Sequence, residues 1–289
     1  MLKNTLLGFV LLLLGWSVLV NLLPADIDTK QNQWNSNLIK AETYLFEQPE
    51  LTNTAVILGS SMSARVPINK ANDSLINLAF DGLSAYDGIE LVLTKTQKPT
   101  TVYIEINTIF KERNEEFHDA LFSPIQNWLK SAFDAFLTKN QPVAILKGLI
   151  HYKKDRRTEA NVLPVAEVPP IVNQMMLSSS IKMYASYPSD NVITARLNRL
   201  ASLINALEKQ GCNVVFFEMP VHPSLCQSAL SIRIRYELYR RFPKERFTYI
   251  PQPDCDQFHT NDGIHLTAVS AALYASYVTS KRLRLDHPE

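Results

Sequence analysis

Three residue types in this chain have the chemistry of acyl transfer. A serine hydroxyl is a weak nucleophile until a base takes its proton. The base needs its tautomer set by a third group, usually a carboxylate. The oxyanion that forms needs N–H donors on rigid elements. Ser61 stands in AVILGSSMSARVP (55–67), where a four-residue apolar run ends in Gly59-Ser60-Ser61-Met62. Asp262 and His265 stand three positions apart in HTNDGIHLT (259–267), some two hundred residues further along the chain. Ser61 is the candidate nucleophile, His265 the base and Asp262 the group that orients it. The backbone N–H groups of Ser61 and Gly82 and the side-chain amide of Asn107 are the candidate donors.

Each signal also has a structural alternative. A Gly-Ser-Ser turn can simply end a strand. Gly82 can serve the backbone alone. Asn107 at a strand end can be a cap, and Asp262 can cap free N–H groups at a helix start. What joins them is position. Short apolar runs at 55–58, 74–80, 101–107, 213–220 and 246–250 read as strands, with Val, Ile, Tyr and Phe favouring extended chain. Helical patterns at 84–97, 191–210, 224–241 and 266–281 alternate with them. Strands separated by such helices make βαβ units and a parallel sheet. Ligands of an open α/β sheet bind outside the carboxyl ends of its strands. Ser61, Gly82, Asn107, His222 and the Asp262/His265 pair all follow strands or precede the last helix, so they map to one sheet edge.

Two further residues are candidates for substrate binding. His222 follows the fourth strand and either faces the same cleft or is an ordinary loop histidine. Arg65, four residues past Ser61, either steadies an anionic or sugar group or is solvated. No role is assigned to His118 or His151.

This arrangement resembles the SGNH, or GDSL-type, family of hydrolases and acyltransferases. The block G-D-S-L aligns with Gly59-Ser60-Ser61-Met62, the glycine block with Gly82, G-x-N-D with Glu105-Ile106-Asn107-Thr108, and D-x-x-H with Asp262-Gly263-Ile264-His265. The sequence departs from the pattern at Ser60, Glu105 and Thr108, which stand for Asp, Gly and Asp. The resemblance covers residues 54 to about 281, less an insertion. It implies a flavodoxin-like, doubly wound sheet of about five parallel strands. With an N-terminal anchor, it further resembles the SGNH proteins that work beside membrane-bound O-acyltransferases and acylate cell-envelope polymers. It therefore implies a polysaccharide acceptor, an acyl group expected to be acetyl, and a membrane-bound O-acyltransferase as partner. Ester hydrolysis on an acylated glycan, or a non-catalytic subunit that keeps only the fold, are the alternatives.

The anchor is read from residues 5–23, TLLGFVLLLLGWSVLVNLL, which carry no charge. At about 1.5 Å per residue this stretch matches a bilayer core of about 30 Å. No small-x-small cleavage site follows it, so it is expected to remain as an uncleaved anchor. Lys3 on the short side favours an N-in orientation across the inner membrane, with the body outside the cytoplasm. Residues 24–50 read as a polar stalk and 51–289 as the α/β domain, with an insertion at about 110–190. That insertion holds the amphipathic FSPIQNWLKSAFDAFL and the Pro-rich VLPVAEVPP, and it reads as a lid, a packing elaboration or a contact surface.

Net charge is +1 and no Lys/Arg run is interleaved with aromatics, so nucleic acid is not an expected partner. The cysteines are Cys212, Cys226 and Cys255, and no C-x-x-C spacing occurs, so no metal or other cofactor is expected. An oxidising compartment allows one disulfide, with Cys226–Cys255 the preferred pair because both fall in loop-like sequence.

Overall fold

The computed structural model of the chain describes residues 2–24, 27–48, 54–67, 75–158 and 170–286. Residue 74 of the second expected strand, part of the expected stalk and residues 162–169 of the Pro-rich patch lie outside them. In chain order the strands are β1 (Ala55–Leu58), β2 (Leu75–Asn77), β3 (Thr101–Glu105), β4 (Asn213–Phe217) and β5 (Thr248–Ile250). The helices are α1 (Leu2–Leu22), α2 (Gln33–Glu42), α3 (Ser61–Ala64), α4 (Ala85–Thr94), α5 (Glu115–Phe122), α6 (Pro124–Ala132) and α7 (Pro142–Thr158). They continue with α8 (Pro170–Tyr184), α9 (Asp190–Lys209), α10 (Pro223–Cys226), α11 (Ala229–Arg241) and α12 (Ala268–Asp286). The chain divides into two units, one of residues 1–49 with 115–166 and one of 50–114 with 167–289.

The second unit is α/β. Its five strands are all parallel, in the order β2-β1-β3-β4-β5. This is one of the two common doubly wound orders, and the order in which strands are added reverses between β1 and β3, the place where such sheets open a ligand crevice. The strands are nearly continuous apolar runs because both faces are covered. Alternate residues point to opposite faces. Ala55, Ile57, Tyr103, Val215 and Phe217 join one apolar cluster with Ala271, Tyr274 and Val278 of α12. Leu58 points the other way, toward Gly88 of α4, where a Cβ would come within 2.9 Å of the leucine. On α9, Ile193, Leu197, Leu200, Ile204 and Leu207 form the buried stripe of an amphipathic helix. The expected strands are all present: β1 matches its apolar run, and the other four are shorter than theirs. After β2, Leu78–Phe80 stay buried, and the N–H groups of Leu78 and Phe80 still donate to the Ile57 and Gly59 carbonyls.

The other unit is helical. It holds α1, which contains a stretch, Lys3–Leu22, long and apolar enough to cross a membrane. Residues 33–47, read from their polarity as part of a stalk, bury Leu38, Ala41 and Tyr44. Within this unit Glu42 is buried, and its carboxylate accepts from the Thr138 N–H and hydroxyl at 2.6 Å each and pairs with Lys130 at 2.8 Å. The expected insertion is thus divided. Residues 115–158 cluster with the chain's first segment, whereas α8 belongs with the sheet.

Cys226 and Cys255 form a disulfide across 29 positions, and Cys212 is a buried free thiol. Alkylation of unfolded, unreduced protein should therefore label one cysteine, and all three after reduction. Replacing both half-cystines by serine should lower unfolding free energy by about 2–4 kcal/mol, read from denaturant midpoints.

Candidate active site

The site is built where β1 ends. After Leu58 the chain makes a turn at Gly59 and Ser60 and enters α3 at Ser61. Parallel pairing sets Leu58 beside Ile104, which brings Glu105, the last residue of β3, alongside Gly59. Glu105 has no solvent exposure. Four donors converge on its carboxylate. The Ser60 hydroxyl donates to Oε1 at 2.7 Å and the Ser60 N–H to Oε2 at 2.9 Å. The Ser63 hydroxyl and N–H donate to Oε2 at 2.5 and 3.3 Å. A buried carboxylate is costly unless its lone pairs are filled, and here they are. In return the negative charge lies at the start of α3, where the helix dipole favours it. Ser60 Oγ also accepts from the Met62 N–H at 3.2 Å and so caps the helix. At the other end of α3, the Asn77 amide donates to the carbonyls of Ser63 and Val66.

Gly59 is needed for this packing. A Cβ there would fall 2.3 Å from Ser63 Oγ and 2.4 Å from Glu105 Oε2. The glycine is set by the approach of a side chain, not by a left-handed backbone. Ser60 and Glu105, the two positions near Ser61 where the sequence departs from the SGNH pattern it resembles, are thus hydrogen-bonded to each other.

The second half of the site is the loop before α12. His259–Leu266 folds back on itself, with a bridge between Thr260 and Leu266 and a bond from the Asn261 N–H to the His265 carbonyl. Asp262 uses its two oxygens differently. Oδ1 accepts from the N–H groups of Ile264 and His265 at 3.0 and 2.8 Å. Oδ2 lies 2.5 Å from His265 Nδ1. His265 Nε2 lies 2.8 Å from Ser61 Oγ, across 204 positions of sequence. A carboxylate can only accept, so Nδ1 carries the proton and Nε2 is the acceptor for the Ser61 hydroxyl. Burial alone would raise the Asp262 pKa. The His265 ring and the two N–H bonds outweigh it and hold the carboxyl at about 2.

The loop is held from outside. Gly263 has φ 97°, and α8 packs on it, with Leu177 and Ser180 in near contact. The Ser180 hydroxyl donates to the Asp262 carbonyl at 2.8 Å. The His222 N–H donates to the Gly263 carbonyl, also at 2.8 Å.

The remaining candidates separate into two groups. Ser61, Gly82 and Asn107 line one cleft of about 610 Å³, together with Leu83, Phe110, Lys111, Tyr184 and Ile264. Gly82 has φ 72°, and its carbonyl accepts from Lys111 Nζ. Asn107 forms a two-point clamp on Met219, donating Nδ2–H to the carbonyl at 3.0 Å and accepting the N–H at 2.7 Å. That clamp fixes the amide plane and uses one Nδ2 hydrogen, leaving a second for a ligand. His222 and Arg65 do not line this cleft. The His222 ring caps α10, bonded to the Ser224 hydroxyl and N–H, and Arg65 is exposed at the end of α3.

Two residues of the site have no role assigned from the sequence. Glu105 stands there only as a departure from the G-x-N-D block, a charged residue inside an apolar strand run. Tyr184, at the end of α8, is buried in the cleft wall. Burial, then the carboxylates of Glu105, Glu218 and Asp262, push its phenol up, so it stays a protonated donor. The chain matches no protein-family model and no curated protein.

Glu105→Ala leaves several buried donors without an acceptor, each costing about 1–3 kcal/mol, so unfolding free energy should fall by at least about 3 kcal/mol. Unchanged urea stability would contradict the role given to the carboxylate. Asp262 has a pKa lower in the folded chain than its ordinary 3.8. Its stabilisation is full above that value and is lost as pH falls toward about 2. The stability difference between wild type and Asp262→Asn should accordingly shrink over that window, measured by chemical denaturation at a series of pH values.

Proposed function

We propose that this protein is a membrane-anchored serine acyltransferase of SGNH type, acting outside the cytoplasm on a cell-envelope or exopolysaccharide hydroxyl. The observation that carries the proposal is the continuous hydrogen-bonded row Asp262 Oδ2, His265 Nδ1, His265 Nε2, Ser61 Oγ, opening on one cleft.

The chemistry follows from that row. Ser61 Oγ attacks the carbonyl carbon of an acyl ester as its proton passes to His265 Nε2. Asp262 stabilises the imidazolium through the Nδ1–H bond and keeps its own charge. The N–H groups of Ser61 and Gly82 donate no hydrogen bond among the described residues, and they, with the second Nδ2 hydrogen of Asn107, take the oxyanion. The tetrahedral adduct collapses, the C–O bond to the leaving alcohol breaks, and that alcohol takes the proton from His265. The acceptor hydroxyl then gives its proton to His265, attacks the acyl-Ser61 ester and leaves with the acyl group, and Ser61 recovers its proton. Water in place of the acceptor completes ester hydrolysis by the same steps.

The sugar acceptor and the extracytoplasmic site rest on the membrane-crossing character of α1 and on the resemblance of the four motif blocks. A membrane-bound O-acyltransferase that supplies the acyl group is the partner this arrangement calls for.

A fluorophosphonate probe should label the wild-type chain at Ser61 and should not label Ser61→Ala. Asp262→Asn should slow turnover of a p-nitrophenyl acetate donor by about 10³–10⁴-fold. Incubated with that donor and an oligosaccharide, the protein should yield acylated sugar. Release of free acetate alone would reduce the activity to hydrolysis, and absence of labelling would remove the enzymatic proposal.

A further inference from the structure

We infer that the helical unit seats α6 and the first turns of α7 in the lipid boundary of the bilayer that α1 crosses, so that the protein grips the membrane by a surface as well as by its anchor. The inference rests on α1 being a membrane span. Its ligand is the bilayer itself, at the level where headgroups meet acyl chains.

Three contacts within this unit set the depth. The Trp16 indole N–H donates to the Asn140 carbonyl at 3.0 Å, fixing the turn 134–140 against the flank of α1. Trp16 lies six residues before Leu22, the end of the membrane-crossing stretch, which is about 9 Å along a helix axis. A short way along α7, Gly148 meets the chain that has just left α1. A Cβ at this glycine would lie 2.6 Å from Ile27 Cγ2 and 2.8 Å from the Asp28 carbonyl oxygen. Beside it, Lys147 Nζ donates to Gln31 Oε1 at 3.0 Å. The start of α7 is therefore pinned between a point inside the span and a point past its end. Interfacial helices bury their apolar faces about 5–10 Å into this same zone.

The exposed side chains fit that solvent. On α7, Ala144 and Ile145 are buried in the unit, while Val143, Leu146 and Ile150 form a second stripe on the opposite side. Ile125 and Trp128 share a face of α6 at i, i+3 spacing. These five residues are 58–73% exposed. A helix apolar on both faces belongs in a core or in lipid, and tryptophan is a residue of the membrane interface. The charges nearby limit the depth without forbidding it. Lys139 is paired with Glu47 and Lys130 with Glu42, while Asp134 and Lys147 are exposed and require water or headgroups on their side of the unit.

The chain's three tryptophans, Trp16, Trp34 and Trp128, allow a direct test. The full-length protein would be reconstituted in phosphatidylcholine–phosphatidylglycerol vesicles, with and without acyl-chain bromination. One variant keeps only Trp128 (Trp16→Phe, Trp34→Phe) and the other only Trp16 (Trp34→Phe, Trp128→Phe). Both should lose at least half their emission in brominated lipid, and Trp128 should be shielded from aqueous iodide. Leu146→Trp, with the three native tryptophans replaced by Phe, should behave as Trp128 does, which guards against misfolding of one variant. Quenching of Trp16 with Trp128 and the tryptophan at 146 unquenched and open to iodide keeps the anchor and overturns this surface, leaving a protein partner as its occupant. Absence of quenching at all three positions overturns the anchor too.

Discussion

One buried carboxylate ties the turn that carries Ser61 to the sheet. Glu105 ends a central strand, has no access to water, and receives four hydrogen bonds from Ser60 and Ser63, the residues on either side of Ser61 in the turn and first helical turn. Charge-assisted bonds of this kind are stronger than neutral ones and, in a low-dielectric interior, are costly to break one at a time. The turn that presents Ser61 is therefore held in place on both sides of the serine. Gly59 is the condition for this arrangement, since any side chain there would occupy the space of the carboxylate.

The Asp262/His265 pair is fixed from the opposite direction. His265 and Asp262 lie on a loop between β5 and α12, and that loop is held by its own turn bonds, by the Ser180 hydroxyl of α8 and by the backbone of His222. Downstream of His222, the Cys226–Cys255 disulfide and the Arg235 guanidinium, which bonds Glu218, Gln252 and the Cys226 carbonyl, join the β4 and β5 connections. Ser61 and His265 meet at 2.8 Å between two segments that are each held by several hydrogen bonds. Preorganisation of this kind, with polar groups aimed before the reaction starts, is what makes electrostatic stabilisation effective in proteins.

The helical unit has a different economy. Within its largely apolar interior Glu42 holds Thr138 and Lys130, while several of its large apolar side chains on α6 and α7 face outward. Exposed apolar side chains gathered on two neighbouring helices are the feature that sets this unit apart. In the cleft of the other unit, by contrast, Tyr184 of α8 and Asn107 of the β3 end bring polar groups into a mainly apolar wall.

Much of the α/β unit was legible in the sequence, for a physical reason. Strands covered on both faces are continuous apolar runs, and each ends where small or polar residues appear, so the five strands, the parallel class and the sheet edge carrying Ser61, Gly82, Asn107, Asp262 and His265 could be read directly. The Cys226–Cys255 pairing was legible only as a choice among loop cysteines. Other features have no local signal. A charged residue in a strand cannot announce that it will fill the space beside a glycine 46 positions earlier, and His222 looks like a cleft residue until its ring is seen capping α10. The polarity of residues 33–47 hid a buried face because Glu42 and Tyr44 are inward-pointing polar side chains. The sequence by itself determined element type and order, since those follow from hydrophobic period and local sterics. Which side chains meet, and so whether a serine, a histidine and an aspartate form one hydrogen-bonded row, was decided only by the tertiary structure, because distances across hundreds of residues depend on strand order, register and the packing of loops.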